Sequence, residues 1–305
     1  MQEMIDRRRL LQLLGIGAGV VFTSRLAGAA PRPLRFLDGD AARATDEFFF
    51  LQLSDSHWGF KGPAVNPEAD RTLKQAVATV QKLGAKPGFV VFTGDLTHTT
   101  DDPDERRKRM GEFREIVRGL DGTELVYLPG EHDASLDRGK AYVEHFGPLY
   151  RSFERDRIHY VALDNVSDPG AIVGDKQIEW LKDDLAKVDA EMPVVVFAHR
   201  PLFDLYPDWD WSTRDGKKVV DVLSAHRNVT VFYGHIHQEN HTMTGAIAHH
   251  SAKSLIFPMP APGSVPKKAP IPWDAAAPDR GLGFRRVTPR ADDAAKRIVE
   301  LEVGR

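Results

Sequence analysis

The chain has 305 residues, enough to bury a substantial core as one large domain or two small ones. It contains no cysteine, which excludes disulfides, thiolate metal ligands, a cysteine nucleophile and an N-terminal lipoprotein anchor. A net charge of −3 leaves no basic footprint for nucleic acid, and none is expected as a partner.

The first thirty residues read as an address. Asp6-Arg7-Arg8-Arg9-Leu10-Leu11-Gln12 is a basic start, Leu13 to Phe22 is weakly apolar and Gly-rich, and Ala27-Gly28-Ala29 has the form of a cleavage site. This layout predicts a signal peptide over residues 1–29. The paired Arg followed by x-Leu-Leu resembles a twin-arginine export signal, which implies the twin-arginine machinery as a partner and a periplasmic or secreted location. The apolar stretch is too short for a span, which needs ~20 residues, so no stable membrane anchor is expected after cleavage. Removal of residues 1–29 takes away four Arg and two acids and leaves a net charge of −5.

Residues 30–46 read as a linker, 47–257 as the core and 258–305 as a proline-rich wrap with closing strands. From residue 48, apolar runs of strand type alternate with helical patterns. Helical spacing is predicted over Ala69 to Leu83, Asp104 to Leu120, Asp175 to Val188 and, more briefly, Lys217 to His226. A strand is predicted within Phe153 to Asn165, and one or two within Met243 to Phe257. Residues 258–280 hold seven prolines, which excludes regular structure there. Gly281 to Val287 and Arg297 to Val303 read as a closing hairpin or paired strands. The expected class is α/β, with two sheets packed together.

Five apolar runs end in clusters of metal-ligand residue types. Phe48 to Leu53 leads to Asp55-Ser56-His57, and Phe89 to Phe92 leads to Gly94-Asp95. Leu125 to Leu128 leads to Gly130-Glu131-His132-Asp133, Val194 to Phe197 to His199, and Val229 to Tyr233 to Gly234-His235-Ile236-His237. Ligands in open α/β sheets collect at the carboxyl ends of strands, so five such ends imply one shared site with room for more than one ion. With thiolates excluded, imidazole and carboxylate suit first-row ions such as Fe, Mn or Zn.

In order, the clusters spell D-x-H, G-D, G-x-H-D, H and G-H-x-H. This series resembles the calcineurin-like metallophosphoesterase superfamily over roughly residues 47–240. The resemblance implies a four-layer fold, a β-sandwich flanked by helices, with two divalent or mixed-valence ions at the sheet edge. It implies Asp95 as the bridging carboxylate, with Asp55, His57 and His237 completing one metal position and Glu131, His199 and His235 the other. It also implies hydrolysis of phosphomonoester or phosphodiester bonds in a small substrate by a hydroxide bridging the ions, with His132 as proton donor and Asp133 orienting its ring.

Two positions depart from the family. Glu131 stands where Asn is usual, which would add a third carboxylate and lower the charge of the site by one. Glu131 could instead swing away and yield to water, or the chain could have lost activity. His98, three residues after Asp95, stands where many members have Asp and purple acid phosphatases have a ligating Tyr. It could reach the first metal or support a neighbouring ligand from behind.

Around this set, Arg200 could pair with a phosphate or face solvent. Trp209 and Trp211 could form a stacking lid or pack onto the domain. His249 and His250 lie in a predicted strand whose side chains alternate, so at most one should face the site; His241 could line its rim. His145, His159 and His226 read as structural. A metal-binding accessory protein with weak or no turnover is the expectation from a different class. The sequence leaves substrate and oligomeric state open.

Overall fold

The computed structural model describes residues 47–303 apart from 121, 291 and 292. The expected signal peptide and linker lie outside the described residues. Among the described residues no helix is long and apolar enough to cross a membrane.

Two mixed sheets face each other. The first orders its strands β11-β10-β1-β2-β3, where β1 is Phe50–Leu53, β2 Phe89–Phe92, β3 Glu124–Tyr127, β10 Gly283–Arg290 and β11 Asp293–Glu302. Strands β1, β2 and β3 run parallel, and β10 is antiparallel to both β1 and β11. The second sheet orders β4-β5-β6-β7-β9-β8, with β4 Arg151–Arg155, β5 Ile158–Ala162, β6 Val194–Phe197, β7 Val229–Tyr233, β8 Asn240–Thr244 and β9 Ile247–Ser251. Here β5, β6, β7 and β9 are parallel, with antiparallel strands at both edges.

Strands β1, β2, β5, β6 and β7 are buried on two faces, which explains their continuous apolar runs. In β1, Phe50 points between the sheets onto Phe89, Tyr160, Phe197 and Phe232. Leu51 and Leu53 point outward under helices. Those helices are α1 (Ala69–Gln81), which buries Leu73, Ala76, Val77 and Val80, and α2 (Pro103–Val117), which buries Met110, Phe113 and Val117. The Asp102 side chain caps α2 by accepting from Asp104 N and Glu105 N, with Pro103 in the first turn. Two short helices, α3 (Glu131–Ala134) and α4 (Lys140–Phe146), follow β3. On the second sheet, α5 (Asp175–Leu185) and α6 (Gly216–Leu223) cover Val161, Val194, Val196 and Val231. The order of layers is therefore helix, sheet, sheet, helix, as expected.

Two polar side chains cross the apolar inter-sheet layer. Gln52 Nε2 donates to Thr93 Oγ1 and to Tyr233 O, each at 3.1 Å, and so ties β1 to the end of β7. Arg285 on β10 is fully buried and reaches Ser251 O and Glu300 Oε1. The first link lies directly below the strand ends that carry the candidate ligands.

The strand expected within 153–165 is instead a hairpin, β4 and β5. Its turn residues Asp156 and Arg157 both have positive φ, 53° and 58°. Such a two-residue turn usually announces itself with Asn or Gly, and here neither is present. The segment between 240 and 251 forms the second hairpin, and residues 258–280 contain no helix or strand.

Candidate metal centre

The parallel strands of each sheet deliver their ligands to one edge. Backbone hydrogen bonds weld the ends: Asp55 N donates to Gly94 O, His57 N to Asp95 O and Gly234 N to His199 O. Asp55, His57, Asp95, His235 and His237 all have positive φ, between 41° and 66°. Non-glycine residues seldom occupy this region, and such strain concentrates at functional sites. The left-handed steps alternate with ordinary ones, so that two ligands from one short loop turn toward the same point. Gly130 must lack a side chain, because a Cβ there would lie 2.0 Å from Asp95 N.

Two groups of side chains could each hold an ion: Asp55 with His57 and His237, and Glu131 with His199 and His235. Asp95 sits between them. Its Oδ1 accepts the His132 N–H at 2.9 Å, while Oδ2 lies 3.4 Å from both His57 Nε2 and His199 Nε2. Asp55 accepts the His235 N–H on both oxygens, each at 3.1 Å, and its Oδ1 is 3.4 Å from His237 Nε2. The Glu131 carboxylate points inward, with Oε1 2.7 Å from His235 Nδ1 and Oε2 2.8 Å from His199 Nε2.

The donor set fits metal ions. His199 Nδ1 donates to Thr93 O at 2.7 Å and His237 Nδ1 to Phe257 O at 2.9 Å, so the Nε2 atom of each presents a lone pair to the site. His57 Nε2 and His237 Nε2 face each other at 3.2 Å. His199 Nε2 and Glu131 Oε2 are buried without a well-aligned hydrogen bond. Burial pushes the His199 imidazole down, yet Asp95 and Glu131 hold it well above its usual range. Burial pushes Glu131 up, but His235 and His199 hold it well below the carboxylate range. A field that binds a proton this strongly would bind a cation in the same place.

His98 packs behind His57, and His57, His98 and His132 also bring their ring nitrogens close enough together to hold an ion. His98 Nδ1 is 3.2 Å from His57 Nδ1, the nitrogen opposite the one that faces Asp95 and His237. Burial and the neighbouring His132 lower its pKa to about 4. Phe60 meets the His98 ring edge-on at 5.0 Å and His132 stacks on it at 4.8 Å.

The expected partnership of Asp133 with His132 is absent. The Asp133 carboxylate accepts from Leu96 N, Thr97 N, Thr97 Oγ1 and Gly130 N. Burial and the nearby Asp95 charge raise its pKa to about 7. Both residues lie on α3, where adjacent side chains diverge by about 100°, so one cannot face the other. Thr99 takes the orienting role: its N–H lies 3.3 Å and its Oγ1 2.6 Å from His132 Nδ1. The backbone donor leaves the neutral ring with its proton on Nε2, which lies 4.0 Å from Asp95 Oδ2.

Three readings left open by the sequence are decided by packing and hydrogen bonding. Trp209 and Trp211 are buried against Tyr233 and Ile236, and so form part of the packing rather than a lid. His249 Nε2 meets Thr244 Oγ1 at 2.6 Å, and His250 Nδ1 meets His241 Nδ1 at 2.6 Å, so neither joins the metal groups. Arg200 is buried, neither facing solvent nor free: its Nε donates to Ser212 O, and it pairs with Asp210. Sequence reasoning also missed Asn165. Its Oδ1 accepts from His199 N and Arg200 N, and its Nδ2 donates to Arg200 O and Thr213 Oγ1. Asn165 follows β5, a sixth strand end that the same rule would have found.

The calcineurin-like phosphoesterase model matches residues 50–239. The chain is 27% identical over 200 residues to a probable cyclic nucleotide phosphodiesterase of Rhodococcus erythropolis, covering 62% of this chain and 64% of that one. It is 30% identical over 187 residues to the human serine/threonine-protein phosphatase CPPED1, covering 55% and 59%. The matches thus span about three fifths of these relatives. A dimetal phosphatase from Danio rerio shares the fold with a TM-score of 0.56 at 13% identity, over 85% of this chain and 100% of that one. A purple acid phosphatase from yellow lupin does so with a TM-score of 0.57 at 13% identity, over 84% and 52%. With the strand ends, their ligands and the family match in agreement, the chain belongs to the calcineurin-like phosphoesterase family.

Proposed function

We propose that the protein is a dimetal phosphoesterase that hydrolyses phosphodiesters in preference to phosphomonoesters. The observation that carries this reading is Asp95 Oδ2, placed 3.4 Å from a histidine nitrogen of each metal group. Asp55, His57, Asp95 and His237 would hold one ion, and Asp95, Glu131, His199 and His235 the other. Ions of the Fe, Mn or Zn type supply, when bound, Lewis acidity toward a phosphoryl oxygen and a lowered pKa for water.

The protein's own groups do the rest. Asp95 Oδ1 is held by the His132 N–H, which leaves Oδ2 to face both positions. His132, when doubly protonated, would give its Nε2 proton to a leaving alkoxide and return to the neutral ring, with Thr99 Oγ1 beside Nδ1 to hold it. His98 accepts from His57 Nδ1 and so keeps the His57 Nε2 lone pair turned to the site. Glu131 brings a negative charge where the family usually has a neutral amide. That charge repels a monoester dianion more than a diester monoanion. The relatives named as cyclic nucleotide phosphodiesterases support the diester preference.

Metal analysis of the purified protein together with hydrolysis of p-nitrophenyl phosphate and bis(p-nitrophenyl) phosphate tests the reading. Two ions per chain and faster diester turnover are expected. Two ions with no turnover would make the chain an accessory metal protein instead. We also propose export after cleavage near Ala29; an N-terminus at residue 30 in the extracytoplasmic fraction is the expected result, and an intact cytoplasmic chain would refute it.

A further inference from the structure

Glu131 also lines a pocket together with Ser135, Asp168, Arg200, Asp210 and Arg214. Its three acids are already engaged: Glu131 with His199 and His235, Asp210 with Arg200 at 3.1 Å and Asp168 with Arg138 at 3.2 Å. Arg214 is exposed and has no carboxylate within ion-pair distance among the described residues. Lys268, exposed, adds positive charge at the same loop by donating to Trp209 O at 2.8 Å. The pocket therefore holds an unanswered cation beside the metal centre.

The backbone of the segment bearing Arg214 is tied to its neighbours by hydrogen bonds. Arg214 N donates to Ala171 O, Thr213 N donates to Pro201 O, and the Asp215 carboxylate accepts from Val173 N and Gly174 N at 2.8 Å each. Asn165 fixes this segment relative to the metal centre, because one amide holds His199 N, Arg200 and Thr213 Oγ1 together. A solvated surface arginine needs no such mounting.

We propose that this pocket is a second-anion subsite, in which Arg214 binds a carboxylate or phosphate carried on the part of the ester that does not react. The inference rests on the phosphoesterase reading and names the substrate class of that site: diesters with a second, peripheral negative charge. An exposed guanidinium–anion pair next to a buried centre corresponds to roughly a five- to tenfold preference.

Two p-nitrophenyl phosphodiesters of equal length test it, one with an n-butyl group and one with a 3-carboxypropyl group. The expected KM is about five- to tenfold lower for the carboxypropyl ester at low salt, with the gap narrowing as salt rises. Arg214→Gln should bring the KM ratio to about one, and Arg214→Lys should restore part of it. Equal KM values in the native protein, or a ratio that survives Arg214→Gln, would overturn the subsite. Should neither ester be cleaved, the phosphoesterase reading fails by itself. Calorimetric affinities of the metal-loaded protein for the same two esters then decide the subsite by the same ratio.

Discussion

Thr99 gives His132 a defined tautomer, and that has a kinetic consequence. With Nδ1 held beside Thr99 Oγ1, the imidazolium form would give up its Nε2 proton and return to the neutral ring. General-acid catalysis matters when the leaving group is a poor one. His132→Ala should therefore slow cleavage of an alkyl phosphodiester by about 10²–10⁴ in kcat. A p-nitrophenyl ester, whose leaving group needs no proton, should lose far less; equal losses for both leaving groups would remove His132 from that role. Thr99→Val keeps the backbone donor and should cost about tenfold on the alkyl ester, with KM little changed. Glu131 makes a second case at this scale. Its two oxygens lie 2.7 and 2.8 Å from His235 and His199, so substitution by Asn removes a charge from the centre without emptying the position. Glu131→Asn should keep two ions bound and shift the rate ratio toward monoesters. An unchanged ratio together with unchanged metal content would show that the carboxylate plays no part. These assignments were unevenly legible. Asp and His after an apolar run are ligand types in plain view, whereas the orienting group of His132 is set by a loop on another strand. The adjacent Asp133 misled because sequence neighbours on α3 point in different directions.

At the level of elements, periodicity exposed the helices and continuous apolar runs exposed the buried strands, since those strands are covered on two faces. The β4–β5 turn was hidden, because Asp156 and Arg157 take left-handed conformations without the Asn or Gly that usually marks them. A single strand over Phe153 to Asn165 conceals the end of β5 at Ala162 and the role of Asn165 beyond it. Strand β9 carries paired histidines, of which the alternation of a strand allows at most one to face the site. His249 is fully buried, and its pKa is lowered by burial to about 4. The sign of the effect on stability follows. The unfolded chain takes up a proton near pH 6.5 and the folded one only near pH 4, so this group's contribution is complete above pH 6.5 and is lost as pH falls toward 4. The loss amounts to at most about 3 kcal/mol. Urea midpoints measured from pH 7 to 4.5 should fall less steeply for His249→Gln than for the native chain. Parallel curves would mean that His249 accepts its proton in the folded state.

Across the whole molecule, charge and strain converge on one edge of the sandwich. Three carboxylates and four imidazoles meet there, five of these ligands at positive φ. Strain of roughly 1 kcal/mol per residue amounts to something on the order of 5 kcal/mol, held by the rest of the fold. The restraints are the Gln52 link between the sheets, the Asn165 clamp and the buried aromatic layer around Phe50. Each of them is independent of any ion, so chelation should leave the architecture in place. The ligands are different, since without cations the His57 and His237 Nε2 atoms face each other at 3.2 Å and three carboxylates are gathered at one edge. Ion binding must therefore stabilise the folded state strongly. At a free metal concentration a thousandfold above Kd, the gain is about 4 kcal/mol for one ion, equivalent to about 10 °C in Tm for a domain of this size. Exhaustive dialysis against a chelator should lower Tm by that order while far-UV circular dichroism stays nearly constant, and readdition should restore it. Asp95→Asn should lose most of the metal-dependent shift because both positions share that carboxylate, whereas Asp55→Asn should retain the part contributed by the position built from Glu131, His199 and His235. Equal effects of the two substitutions would separate Asp95 from its bridging place, and collapse of the secondary structure on chelation would show that the ions, rather than the cross-links between the sheets, hold the edge together.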